Sequence, residues 1–148
     1  MRTLAIGLAA LALLGGRKTE GPDTQINAAQ KLADGTFYAG ADMNGKSVAM
    51  AVGDALRVEL ESIPTAGYVW QVAGQPDFLE HVGDGMRATD PEVQDQPGYT
   101  GGNHYLSFDF RATAPGTGTL TLVEGRPWEL EAGEPPEGNF ALTVTVTG

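Results

Sequence analysis

Cysteine is absent from the 148 residues of this chain. The protein therefore has no disulfide bonds, no thiol nucleophile and no thiolate ligand for a metal. Histidine is scarce, because the chain has only His81 and His104, and neither belongs to a zinc-binding pattern. No serine stands in a Gly-x-Ser-x-Gly setting. These absences predict a protein that is not an enzyme and that binds no metal and no cofactor.

Basic residues are also few, since 9 Lys and Arg stand against 19 Asp and Glu, which gives a formal net charge of −10. Nucleic acids and anionic lipids both require a basic surface on the protein that binds them. The composition therefore argues against either as a partner. It favours a basic partner, although solubility alone explains the acidic balance equally well.

Only one long apolar run is present, and it spans residues 4–14. A positive start precedes it, small residues follow it, and it is too short to span a membrane. Residues 1–19 are therefore predicted to be a signal peptide of a protein exported to the periplasm or the extracellular space. Gly16 stands where a lipoprotein signal has its lipidated cysteine. A membrane-anchored lipoprotein is thus expected only if the native chain carries that cysteine.

Helical periodicity is lacking after residue 45, whereas Gly (21 residues) and Pro (9 residues) are frequent. Alternation with a period of two predicts strands instead. The side chains predicted to face the core are Val48, Met50 and Val52, then Leu56, Val58 and Leu60, then Leu106, Phe108 and Phe110, then Leu120 and Leu122, and finally Phe140, Leu142, Val144 and Val146. Arg57, Glu59 and Glu61, which alternate with Leu56, Val58 and Leu60, are expected to face water.

Weaker patterns predict the remaining segments. A short strand is predicted over residues 68–72 and an edge strand over residues 36–41. Residues 74–98 are predicted to be rich in loops, with residues 78–82 as a short strand or a turn. Residues 125–138 are predicted to form a long loop.

The predicted fold is all-β, an immunoglobulin-like β-sandwich of about seven short antiparallel strands over residues 46–148. Residues 20–45 are polar and contain many turn-forming residues, so they are predicted to be a tether and lead-in segment. Because no disulfide links the two sheets, Trp70 is expected to serve as the aromatic residue of the core. The length suits one domain, and we expect a monomer.

Three loops contain residues beyond those that a simple turn requires. In the first, a proline fixes one φ and a glycine permits a positive φ. Paired glycines in the second allow the backbone to approach another surface closely. The third has a Trp beside an Arg, which is typical of binding hot spots. The candidate binding residues are Ile63, Pro64, Thr65, Ala66 and Gly67 in the first loop, Tyr99, Thr100, Gly101 and Gly102 in the second, and Arg126, Pro127 and Trp128 in the third.

Each loop taken alone also has an ordinary structural explanation. The first is compatible with a simple turn, and the glycine pair of the second with a bulge or a hairpin turn. Trp128 is equally suited to cover an edge of the core. Only the three loops together point to a binding surface.

The three loops, in their order, resemble those of the chagasin-type inhibitors of papain-like cysteine proteases. That family has an Asn-Pro-Thr-Thr-Gly loop, a Gly-x-Gly-Gly loop and an Arg-Pro-Trp/Phe loop on an immunoglobulin-like sandwich. The resemblance extends from about Lys46 to the end of the chain. It departs from the family at three positions, because Ile63 replaces Asn, Ala66 replaces the second Thr, and Tyr99 replaces the first Gly.

The resemblance implies a reversible inhibitor whose partner is a papain-like cysteine protease and which has no small-molecule substrate. The first loop would fill the catalytic cleft, and the other two would clamp its rims. Ile63 and Ala66 lack the hydrogen-bonding groups of the family residues, so affinity or target choice is expected to differ. The alternative is an exported immunoglobulin-like adhesion or carbohydrate-binding module, in which Tyr99, Tyr105 and Trp128 stack on sugars.

Overall fold

The structure is a computed structural model that describes residues 29–99 and 101–148. The predicted signal peptide, the first part of the predicted tether and Thr100 lie outside these residues. The described strands are β1 (Gln30–Lys31), β2 (Phe37–Ala39), β3 (Ser47–Ala51), β4 (Ala55–Ser62), β5 (Val69–Gly74), β6 (Leu79–Ala88), β7 (His104–Ala112), β8 (Gly116–Gly125) and β9 (Gly138–Thr147). Two short helices, α1 (Pro91–Gln94) and α2 (Pro127–Glu131), interrupt them. Among the described residues, no helix is long and apolar enough to cross a membrane.

The strands form two facing sheets, which confirms the predicted all-β sandwich. One sheet has five strands in the order β1-β2-β4-β7-β6, and the other has four in the order β3-β9-β8-β5. Most neighbouring strands are antiparallel, but β2 pairs in parallel with β4, and β3 pairs in parallel with β9. The chain crosses from β3 in one sheet to β4 in the other, so β3 lies beside the distant final strand instead of forming a hairpin.

The period-two pattern predicts the core correctly with one exception. Every predicted core side chain of β4, β8 and β9 is buried, as are Val48, Met50, Phe108 and Phe110, whereas Leu106 is partly buried and packs against the core. Val52 is 43% exposed, because β3 ends one residue earlier and Val52 belongs to the turn before β4. Trp70 packs against the core while half-buried, and its indole N–H donates to the Glu61 carbonyl at 2.9 Å.

The sandwich begins before the boundary predicted at Lys46. The strand expected within residues 36–41 is present as β2, and the two-residue β1 covers its outer side. Ala39 and Met43 are buried in the core. Strand β1, which was not predicted, has only two residues and is too short for an alternating pattern to identify it.

Strand β6 is the largest difference from the sequence-based prediction. It begins within residues 78–82, where a short strand or a turn is predicted, and continues to Ala88 through the stretch predicted to be rich in loops. It is the edge strand next to β7, and only Leu79 is fully buried. Gly83 and Gly85, together with a bulge between His81 and Gly83, remove the alternation that would have identified it. The predicted long loop 125–138 likewise contains α2.

A buried carboxylate joins three strands on the outer face of the five-stranded sheet. Glu59 was expected to face water, but it is only 7% exposed, because Tyr38 and Arg87 cover it. The Tyr38 hydroxyl donates to Glu59 at 2.6 Å, and the Arg87 guanidinium donates to it at 2.8 and 2.9 Å. The hydrogen bonds from Arg87 lower the pKa of Glu59. Burial, and then the hydrogen bond to Glu59, raise the pKa of Tyr38 to about 12.

The raised pKa of Tyr38 predicts a loss of stability at alkaline pH. Since the folded-state pKa lies above the ordinary value of 10.0, this contribution is complete below pH 10 and is lost as pH rises towards about 12. We expect the loss to be about 1 kcal/mol after solvent screening. Urea unfolding between pH 8 and pH 11.5 measures it. The Tyr38→Phe variant should lack this part of the decline, and an identical decline in that variant would contradict the assignment.

Candidate functional site

The sheet topology brings the three loops to one end of the sandwich. The first loop connects β4, in the five-stranded sheet, to β5, in the four-stranded sheet. Ser62 at the end of β4 pairs with His104, so the second loop, which precedes β7, lies beside it. Val69 at the start of β5 pairs with Gly125, so the third loop, which follows β8, lies on the other side. The first loop is therefore central and the other two flank it.

The first loop is a self-closed turn. Residues Pro64–Ala66 form one turn of 3-10 helix, and Gly67 ends it with a φ of 92°, as its glycine predicts. The Ile63 carbonyl accepts from the amides of Ala66 at 3.0 Å and Tyr68 at 3.2 Å, and the Pro64 carbonyl accepts from Gly67 at 2.9 Å. The loop thus holds its shape by its own hydrogen bonds and leaves Thr65, Ala66 and the side chain of Ile63 exposed.

The third loop packs directly on the first. Arg126 donates through Nε to the Ala66 carbonyl at 3.0 Å, and its guanidinium lies 4.5 Å from the centre of the Tyr68 ring. The Trp128 indole lies so close to Gly67 that a Cβ added there would be 2.7 Å from its Cη2 atom. Trp128 therefore covers the first loop and not an edge of the core, and it remains 61% exposed.

Helix α2 fixes the direction of the third loop. Pro127 occupies its first turn, where a missing N–H costs nothing. The Arg126 guanidinium forms an ion pair with Glu129 at 3.2 Å. Leu130 packs on Gly125, where an added Cβ would be 2.9 Å from its Cδ2 atom. These contacts place Trp128 on the outer side of the helix, facing the first loop.

The second loop contacts the other flank of the first loop. Gly101 and Gly102 have φ values of 85° and 92°, which other residues rarely adopt. A Cβ added to Gly101 would lie 3.2 Å from the Thr65 hydroxyl. Gly101 therefore allows a close approach to the first loop of the same chain, whereas Gly102 lies against the side chains of Gln94 and Tyr99. Tyr99 lies beside them and is 43% exposed, while Thr100 is outside the described residues.

Polar residues that the sequence did not single out hold the second loop in place. Gln94 donates to the Asn103 carbonyl at 2.8 Å and accepts from the Asp90 amide at 2.5 Å. The Asn103 side chain donates to Glu61 at 2.5 Å. Asp90, Gln94 and Asn103 lie in a stretch without an alternating pattern and show no sequence motif, while Glu61 was expected only to face water, so nothing in the sequence indicated this role.

The site is an exposed surface with an apolar side chain in each loop. Ile63 is 41% exposed, Tyr99 is 43% exposed and Trp128 is 61% exposed. Arg126 is partly shielded because it lies between Tyr68 and Glu129. Exposed apolar groups on rigid loops favour contact with another macromolecule.

Comparisons of the sequence and of the fold with known proteins identify similar proteins. Residues 49–144 match the family described as Chagasin family peptidase inhibitor I42. The chain is similar to Amoebiasin-1 of Entamoeba histolytica, with 30% identity over 108 residues that cover 71% of this chain and 94% of that protein.

Two solved structures share the fold. One is the cysteine protease inhibitor EhICP2 from Entamoeba histolytica, with 19% identity, a TM-score of 0.59, and coverage of 74% of this chain and 93% of that one. The other is the solution structure of amebosin, with 27% identity, a TM-score of 0.56, and coverage of 74% of this chain and 96% of that one. The family match over residues 49–144 includes all three loops.

Proposed function

This chain belongs to the chagasin family of peptidase inhibitors, and from that premise we propose that it inhibits papain-like cysteine proteases reversibly by occluding the catalytic cleft with its three loops. The observation that carries the proposal is the contact of the central first loop with both of its neighbours. Through these contacts the loops form one continuous surface. The protein acts by obstruction and performs no chemistry of its own.

The geometry of the first loop supports binding without cleavage. A protease hydrolyses a peptide that lies extended in its cleft, with a free carbonyl in line with the catalytic thiolate. Residues Pro64–Ala66 are instead wound into a 3-10 turn, and the carbonyls of Ile63 and Pro64 accept hydrogen bonds from within the loop. A loop of this kind also loses little conformational entropy on binding, which increases affinity.

The flanking loops supply contacts to the rims of the cleft. Trp128 and Tyr99 lie on opposite sides of the first loop and expose aromatic surface. Aromatic residues are enriched among the hot spots of interfaces. An interface of standard size, about 1,600 Å² in total, is compatible with three adjacent loops. We propose that one inhibitor monomer binds one protease molecule.

A carbohydrate-binding or adhesive module is not favoured by this arrangement. Sugar-binding aromatics share a flat face, but Tyr99 and Trp128 flank a protruding loop. Tyr105 lies in β7 under the Arg87 guanidinium, 4.5 Å from its ring centre. The three aromatic residues therefore form no common platform.

Export is a further part of the proposal. The sequence pattern of residues 1–19 supports it, and an exported inhibitor would meet proteases in the periplasm or outside the cell. A lipid anchor would require that the native chain carries a cysteine at the end of that segment, where Gly16 stands.

Titration of papain with the chain lacking residues 1–19 tests the proposed function. We expect stoichiometric loss of activity at a one-to-one ratio and recovery of activity on dilution, because no covalent bond forms. Undiminished papain activity at micromolar inhibitor would refute the proposal. A glycan-binding assay with the Pro64→Gly variant tests the rival module, since sugar binding that survives this change would support that module.

A further inference from the structure

A buried serine closes the base of the first loop. Ser62 is the last residue of β4 and is only 3% exposed. Its hydroxyl lies 2.8 Å from the carbonyl of Tyr68, the residue that follows the loop. The hydroxyl therefore links the two ends of the segment that carries Ile63 to Gly67.

The same hydroxyl reaches the other sheet. It lies 2.6 Å from Oε2 of Glu124, so its single proton is shared between two acceptors. Glu124 belongs to β8 and stands two residues before Arg126, at the start of the third loop. One hydroxyl group thus connects both ends of the first loop to the strand that leads into the third.

The Glu124 carboxylate has little freedom to move. Glu124 pairs with Trp70 on the neighbouring strand. A Cβ added to Gly138 would lie 3.1 Å from both Glu124 Oε1 and Trp70 Cη2, so the carboxylate and the indole both lie against that glycine. An acceptor fixed in this way determines where the Ser62 hydroxyl, and the loop attached to it, must lie.

We propose that Ser62 and Glu124 are positioning residues, which fix the first loop in its inhibitory orientation and couple it to the third loop. The inference rests on the proposed function. The first loop crosses from one sheet to the other, so the orientation of its tip depends on how the sheets are spaced at this end. The Ser62–Glu124 bridge, called here the base bridge, sets that spacing.

The residues at the tip of the loop make this support more important. Ile63 and Ala66 have no side-chain hydrogen-bonding groups with which to orient the loop in a cleft. Binding then depends on a loop that is already in the correct shape before the protease arrives. The base bridge acts at the base of the loop, and the hydrogen bond from Arg126 acts at Ala66. Both add to the preorganisation that the loop's own hydrogen bonds provide.

Inhibition kinetics with serine variants test the proposal. Ser62→Ala should weaken inhibition of papain about tenfold, through faster dissociation, since a lost hydrogen bond to a charged group has about that effect. Ser62→Thr keeps the hydroxyl and should retain inhibition. Asp109→Asn is the control, because it disrupts the Arg57–Asp109 pair on the same sheet but away from the loops. It should leave inhibition unchanged.

Hydrogen exchange in the free protein gives a second measurement that needs no protease. Exchange of the Ala66, Gly67 and Tyr68 amides should accelerate in Ser62→Ala and in Glu124→Ala, and it should stay unchanged in Asp109→Asn. Unchanged loop exchange, or an unchanged dissociation rate of Ser62→Ala, overturns the inference. If the unsubstituted protein does not inhibit papain, the proposed function fails, and the exchange experiment still decides whether the base bridge holds the loop.

Discussion

The Gly67→Ala substitution is expected to weaken inhibition of papain about 100-fold. Two physical causes combine. Gly67 has a φ of 92°, which costs an alanine about 1–2 kcal/mol. In addition, the new methyl group would lie 2.7 Å from the Trp128 indole, so either the first loop or Trp128 must move. Both are predicted to contact the protease.

Gly53→Ala is the matched control for this experiment. Gly53 has a φ of 94° in the turn between β3 and β4, and a Cβ added there meets nothing within 4 Å. It carries the same backbone penalty without the contact to Trp128. We expect both variants to lose stability in urea unfolding, Gly67→Ala at least as much as Gly53→Ala, but only Gly67→Ala to lose inhibition. Equal inhibition constants for the two variants would show that the packing of Trp128 on Gly67 has no functional role.

The Trp128→Ala substitution should weaken inhibition by about 2 kcal/mol or more, which corresponds to about 30-fold. Trp128 is predicted to contribute in two ways, because its exposed surface is expected to contact the protease and its indole packs against Gly67. Met86→Ala is the control, since Met86 is also 61% exposed but lies on the edge strand β6. It should leave inhibition unchanged. Measurement of the inhibition constants against papain compares the two.

The structural explanation of Trp128 makes a different prediction. If Trp128→Ala remains folded by circular dichroism and inhibits like the unsubstituted protein, the residue serves only the packing of the loops. Hydrogen exchange at the Gly67 amide separates the two contributions. Acceleration of that exchange reports the loss of support, and any further loss of affinity reports the missing contact with the protease.

The central strands were predictable from the sequence because burial imposes a period of two on them. Leu56, Val58 and Leu60 alternate with more polar residues, and all three are buried. The prediction fails where that physical cause is absent. Edge strand β6 buries little, and the two-residue β1 is too short to show a period. Glu59 looks like a surface residue in sequence because the side chains that cover it come from other strands.

The candidate site was predictable in composition but not in its internal contacts. Proline, paired glycines and an Arg-Pro-Trp segment pointed to the three loops. The contacts that bind the loops together join residues far apart in sequence, such as Ser62 and Glu124, which are 62 positions apart, and Arg126 and Ala66, which are 60 apart. Only the pairing of strands from the two sheets reveals which of these distant residues meet.

The position of the first loop at the crossover between the sheets ties inhibition to the folding reaction itself. A chain that has formed only one sheet has not yet closed this loop, and neither of its flanking loops has a surface to pack against. We therefore expect the inhibitory surface to form only when the two sheets dock. Because the contacts within this surface join residues far apart in sequence, we expect it to depend on the completed sandwich.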